Sequence, residues 1–317
     1  MSGAFVGAAA VSGAQGSEQT KDADYIDVHG HCYAEHECPV NGMDPHCTPE
    51  ELIAFYDMHG VKRGTILPNA NPEGTSSVQS NEEVLRICRQ YDRFIPFCNI
   101  DPRAVSNDWH APLGDMFKYY RDKGCRGIGE VSPNLHFLDP RMQNLFKGAE
   151  EAGLPLTFHI APFEGCAYGI VDAAGLPELE VCLQRFPKLK FFGHSQAFWC
   201  EMAAYADQDT RFGYPEGPIR EEGAIPRLMR KYPNLYGDLS ANSGANALIR
   251  DRAYGIKFLN EFQDRLMFGM DLCQPKAERS FKPLLPPYLR ELRDSGEISK
   301  EVFEKVARGN AIRELKL

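Results

Sequence analysis

Eight short runs of apolar, β-prone residues alternate with amphipathic helical patterns along the chain, and this alternation limits the possible folds more than any other feature. The runs cover residues 25–31, 64–69, 94–101, 127–131, 156–160, 189–194, 235–240 and 265–271. Helical patterns lie between them. The first begins at Thr48-Pro49-Glu50-Glu51, with a capping hydroxyl, proline at the first helical position and acids in the first turn, and it stops at Gly60. Others follow over residues 80–91, 113–123, 139–152, 177–186, 222–231 and 247–262, and two more close the chain at 284–294 and 299–308. Strand ends spaced about 30 to 45 residues apart predict an α/β protein built as a single (β/α)8 TIM barrel, with extra C-terminal helices and a long loop after the sixth strand. A doubly wound open sheet would explain the alternation too, but no Gly-x-Gly-x-x-Gly follows the first strand.

The 317 residues suffice for one such barrel, expected over residues 24–317. Residues 1–23 are set apart as a flexible tail or the remnant of an export signal, since residues 2–16 are small and apolar but lack a basic start. A net charge of −9 argues against nucleic acid or an anionic membrane as partner, and no apolar run is long enough to span a bilayer. Ten cysteines scattered without framework spacing suit reduced thiols and a cytoplasmic location, with export as the alternative if residues 2–16 are a truncated signal. The expected partner is a small-molecule substrate, and a homo-oligomer is left open.

Polar residues fall at the C-terminal ends of the predicted strands: His29 and His31 on the first, Glu130 on the fourth, His159 on the fifth, His194 on the sixth and Asp271 on the eighth. In a barrel these ends share one rim, so six ligands or acid/base groups meet around one pocket. Alternate strand residues point the same way, which lets His29 and His31 converge with Gly30 between them. The loop set Cys32, His36, Cys38, His46 and Cys47 matches no closed zinc spacing and reads as ordinary loop thiols and imidazoles. Trp199, Phe163, Asn69 and Asn242 lie just beyond strand ends and are the expected substrate contacts, with Asn71, Asp101, Tyr168 and Ser240 as further wall residues. Arg211, Arg250 and Lys276 are the cations that a substrate carboxylate would meet, or else solvated surface charges.

The stretches Ile26-Asp27-Val28-His29-Gly30-His31, Phe158-His159, Phe192-Gly193-His194 and Phe268-Gly269-Met270-Asp271, with the closing Ala307-Arg308-Gly309-Asn310-Ala311, resemble the amidohydrolase superfamily. Within it they are most similar to the branch of aminocarboxymuconate-semialdehyde decarboxylase and related aromatic acid decarboxylases. The resemblance implies one divalent metal, expected to be zinc, on His29, His31, His159 and Asp271, with His194 as general acid/base. Glu130 either bridges to a second ion or accepts a hydrogen bond from a ligating histidine. Three imidazoles and a carboxylate leave room for a water whose pKa zinc lowers to about 7.

The leading expectation is hydrolysis of a small amide, ester or lactone, with Asp271 and His194 moving protons. The alternative is non-oxidative decarboxylation of an aromatic or unsaturated acid with the same residues. A barrel that binds metal or ligand without turnover is the third reading, and the intact ligand set argues against it.

Overall fold

Each predicted strand forms, and most are shorter than the apolar run that encodes them. The computed structural model describes residues 25–40, 44–166, 168–204, 210–274 and 282–317, so the proposed tail and Lys276 lie outside the described residues. One arc of parallel strands runs β1 (Tyr25–Asp27), β2 (Val61–Ile66) and β3 (Phe94–Pro96). A second arc contains β4 (Ile128–Val131), β5 (Leu156–Ala161), β7 (Phe191–His194), β8 (Leu235–Asp238) and β9 (Leu266–Met267), also all parallel. Single bridges join the arcs into a ring. Cys98 pairs with Ile128 at one seam, and Gly30 pairs with Leu272 at the other. Backbone bonds flank both seams: Gly129 N–H to the Cys98 carbonyl (2.9 Å), and Val28 N–H to the Phe268 carbonyl (3.1 Å). One strand was not legible in the pattern. The two-residue β6 (Ile170–Val171) pairs with β5 inside the crossover that leads to the next helix.

Side chains alternate across the sheet as the two-residue strand period requires. Tyr25, Phe94, Phe191, Leu235 and Leu266 face the helices and belong to the large outer core. Their neighbours Ile26, Ile95, Phe192, Tyr236 and Met267 form a second cluster inside the ring, together with Ala311 and Leu315 of the last helix. That helix therefore closes one end of the barrel. Asn310 fixes it there by donating to the carbonyls of Leu266 (2.8 Å) and Gln263 (2.7 Å). Burial of the strand faces against these layers supplies the main driving force for the ring.

Helix boundaries follow local chemistry. α1 (Pro49–His59) starts on a Thr48–Glu51 capping box and ends at Gly60 with φ 75°, a left-handed turn that glycine accepts freely. α2 (Asn81–Gln90), α3 (Leu113–Asp122), α4 (Pro140–Ala152) and α5 (Pro177–Arg185) complete the first half. After β7 come the short α6 (Gln196–Trp199), two 3-10 turns and α7 (Ala224–Lys231). The single helix expected over 247–262 is two, α8 (Ala241–Ile249) and α9 (Arg252–Glu261). The break has a local cause, because the Asp251 carboxylate accepts from the Tyr254 N–H (3.1 Å) and starts a new helix. α10 (Leu285–Asp294), α11 (Lys300–Glu304), a π turn over Lys305–Gly309 and α12 (Asn310–Leu315) finish the chain. All ten cysteines are free, and among the described residues no helix is long and apolar enough to cross a membrane.

Candidate metal centre

The first strand ends at Asp27, so His29 and His31 converge from the irregular segment just beyond it rather than from the ladder itself. Asp27 makes that segment rigid. Its buried carboxylate accepts from the backbone N–H of His29 (2.9 Å), the backbone N–H of Met270 (2.9 Å) and the Tyr56 hydroxyl (2.8 Å). Burial pushes this carboxyl up to about 7 although all three donors oppose the shift. Gly30 serves the same packing. A Cβ there would stand 2.7 Å from the Tyr56 hydroxyl oxygen and 2.9 Å from the Thr65 carbonyl, so the close approach is to the protein's own interior.

Each first-strand histidine has its Nδ1 occupied. His29 Nδ1 stands 2.6 Å from Asp238 Oδ2, and His31 Nδ1 donates to the Leu67 carbonyl (2.8 Å). Both therefore turn Nε2 inward. His29 Nε2 lies 3.6 Å from Glu130 Oε2 and 3.7 Å from Asp271 Oδ1, and His31 Nε2 lies 3.8 and 3.6 Å from the same two oxygens. Four donors held at 2.0–2.2 Å around one tetrahedral ion stand roughly 3.3–3.6 Å apart, close to this spacing. His29 Nε2 is fully buried without a hydrogen-bond partner, which suits a metal-ligating atom.

The other oxygens of the same carboxylates face another set of imidazoles. Glu130 Oε1 lies 2.7 Å from His159 Nδ1 and 3.8 Å from His194 Nε2, while Asp271 Oδ2 lies 3.4 Å from His194 Nε2. His194 Nδ1 is bonded to the Ser240 hydroxyl (2.8 Å), which turns its Nε2 to the centre. Groupings able to hold a metal ion are thus His29–His31–Glu130, His29–His194–Asp271, Glu130–His159–His194, and His31–Asp271–Cys273. All the expected rim residues meet. None of Cys32, His36, Cys38, His46 and Cys47 enters such a group among the described residues. His36 pairs with Glu51 (2.8 Å), and His46 pairs with Glu37.

Electrostatics favour positive charge at this point. Burial works against a charged His29, yet the carboxylates of Asp271, Asp238 and Glu130 hold it protonated well above the usual histidine range. Burial, reinforced by the charge on His29, brings His31 down to about 4. Although burial would raise them, Glu130 and Asp271 are held below the normal carboxylate range, Glu130 by His159 and His29, Asp271 by His29 and His194. Two residues beside the centre adopt left-handed backbone conformations, Ser195 with φ 108° and Asp271 with φ 51°. Such strain persists only where the surroundings over-determine it. Ser195 Oγ accordingly donates to the Ile160 carbonyl (3.1 Å) and accepts the Phe198 N–H (3.1 Å), while the Asp271 N–H donates to the His29 carbonyl (2.8 Å).

The expected pocket residues divide. Tyr168 lies over His159 at 4.4 Å between ring centroids, and Phe163 is partly exposed against Phe212. The Asn69 amide lies near the Tyr33 hydroxyl and His46 Nε2 (3.3 Å each). Trp199 requires a correction. It is 2% exposed in the core against Phe258, and its indole N–H donates to the Asp238 carbonyl (2.9 Å), so it supports a rim residue from behind. Asn242 holds the Lys282 carbonyl and the Leu284 N–H at 3.3 Å each. Asn71 and Asp101 bond each other (2.9 Å) and fix Ser132 and Arg103.

Sequence reasoning passed over Asp238, which ends strand β8 and so obeyed the same rule that picked out Glu130 and Asp271. Asp238→Asn is expected to weaken metal affinity about 10- to 100-fold while the number of ions bound at saturation stays unchanged. Metal titration against a competing chelator measures it. Unaltered affinity would show that Asp238 does not orient His29.

A family model described as amidohydrolase matches residues 26–317. The chain belongs to the amidohydrolase family. No curated protein matches it. Among solved structures, an uncharacterised TIM-barrel protein from Bordetella bronchiseptica is 18% identical, with 92% of this chain and 98% of that one covered at a TM-score of 0.60. An amidohydrolase from Burkholderia multivorans with bound zinc is 15% identical, covering 92% and 99% at 0.57. The 5-carboxyvanillate decarboxylase LigW from Sphingomonas paucimobilis is 16% identical, covering 93% and 100% at 0.52. The amidohydrolase chain thus shares its barrel with both hydrolases and decarboxylases, and it carries histidine and carboxylate clusters able to hold metal.

Proposed function

We propose that the chain is a metal-dependent hydrolase of a small organic ester, amide or lactone, working at a centre of two divalent ions bridged by Glu130. One observation carries this reading. Glu130 directs Oε2 toward His29 and His31 and Oε1 toward His159 and His194, so its two oxygens address separate histidine pairs. Zinc suits the imidazole and carboxylate donors. His29, His31 and Asp271 would hold one ion, and His159 and His194 the other, with Glu130 lying between the two sets. Bound ions supply an acidic water and polarise the scissile carbonyl. Asp271 presents Oδ2 to the centre and is the base that accepts the water's proton and returns it to the leaving group. Asp238, Leu67 and Ser240 keep the histidine rings in the orientation that this chemistry needs.

A panel of lactones, aryl esters and anilides tests the reading by acid or chromophore release. Turnover is expected to vanish on exhaustive chelation and to return with zinc; turnover that survives complete metal removal contradicts it. The likeness to a decarboxylase of known structure keeps a second reading in view, in which the same residues release CO2 from an aromatic acid. Release of CO2 from an added aromatic acid, with no hydrolysis across the panel, would favour it.

A further inference from the structure

We infer that Arg211 is the anion receptor of the substrate cavity, taking a carboxylate of the substrate beside His159 and so selecting acidic molecules. This rests on the reading of the metal centre as the reacting site. A cavity of about 180 Å3 is lined by Arg211 together with His159, Tyr168, Gln196, Phe212 and Cys166. At about 30 Å3 per liquid water, that is room for a small acid or one acidic arm of a larger substrate.

Arg211 is 2% exposed, deeply buried for a guanidinium. Its Nη1 donates to the Asp172 carbonyl (2.8 Å) and, more distantly, to that of Pro162 (3.4 Å), which anchors the side chain against the residues that follow β6 and β5. Nε and Nη2 are buried and make no hydrogen bond. These two N–H groups share one edge of the guanidinium, and that edge is the fork which matches the two oxygens of a carboxylate. A buried N–H without an acceptor is costly, and a bidentate anion relieves two at once.

Glu201 is the nearest counter-charge, yet its Oε1 stands 3.4 Å from Nε, out of hydrogen-bond alignment, and both its oxygens also accept the Gly175 N–H. Burial pushes the Glu201 carboxyl up to about 7 against the pull of Arg211, so the guanidinium is incompletely neutralised near neutral pH. The aromatic walls of Tyr168 and Phe212 suit a flat acid, and the Gln196 amide adds a polar group to the lining.

Benzoate and its neutral analogue benzamide are the probes, titrated calorimetrically into the full chain after chelation and again after zinc loading. Arg211→Gln is expected to weaken benzoate about tenfold or more in both states while leaving benzamide unchanged, with Arg211→Lys intermediate because an ammonium lacks the fork. Phe212→Glu changes a half-exposed residue at the cavity mouth and is expected to weaken benzoate by repulsion without disturbing the fold. Benzoate affinity unchanged in Arg211→Gln, or lost equally with that of benzamide, overturns the inference. If Arg211→Gln does not fold, Phe212→Glu decides, and unaltered benzoate binding there overturns it. Zinc content and neutral-ester turnover of the same samples report separately on the metal reading. Arg211-dependent benzoate binding without hydrolysis would uphold the receptor and reject the hydrolase.

Discussion

Glu130→Gln is expected to reduce the metal content from two ions to one and to lower turnover about 1,000-fold or more, because ion-based stabilisation of the reacting charge is worth several kcal/mol. The substitution keeps shape but removes charge and leaves one acceptor oxygen. In the native site one oxygen lies 3.6 Å from His29 Nε2 and the other 2.7 Å from His159 Nδ1, so a single amide oxygen cannot serve both sides. The carboxylate also helps to hold His29 and His159 in place electrostatically, and its loss weakens both. Metal analysis and steady-state turnover on one preparation check the result. Two ions retained with near-native turnover would reduce Glu130 to a hydrogen-bond acceptor.

Asp27→Ala is expected to cost about 3 to 5 kcal/mol of stability, since each buried donor left without a partner costs about 1–3 kcal/mol. The donors are the His29 and Met270 N–H groups and the Tyr56 hydroxyl. They lie just past the end of β1, just past the end of β9 and on α1, so the residue ties the barrel seam to its first helix. Asp27→Asn should cost less, because the amide keeps one acceptor oxygen and the side-chain volume. Denaturant unfolding of the two variants beside the native protein measures both. Equal stability of all three would show that the seam does not depend on this carboxyl.

The alternation of strand and helix was readable because each element spends its apolar residues on one face, as the inner Ile26, Phe192 and Met267 and the outer Tyr25, Phe191 and Leu266 show. The rim histidines were readable because the barrel brings strand ends together whatever their separation in sequence. Trp199 was misread because position after a strand does not fix where a loop side chain points. Trp199 turned inward to satisfy its indole on the Asp238 carbonyl, a partner 39 residues away. Asp27 gave no signal, since one acid in an apolar run looks the same whether it faces water or gathers three buried donors. The division at Arg250–Asp251 was visible only as a capping aspartate within a continuous apolar period.

The central claim is a two-ion centre bridged by Glu130, and metal content tests it most directly. The full chain would be stripped with chelator, equilibrated with excess zinc, freed of unbound metal and analysed for zinc per chain. About two equivalents are expected, as in other two-metal hydrolytic sites. One equivalent, unchanged in Glu130→Gln, would contradict the claim.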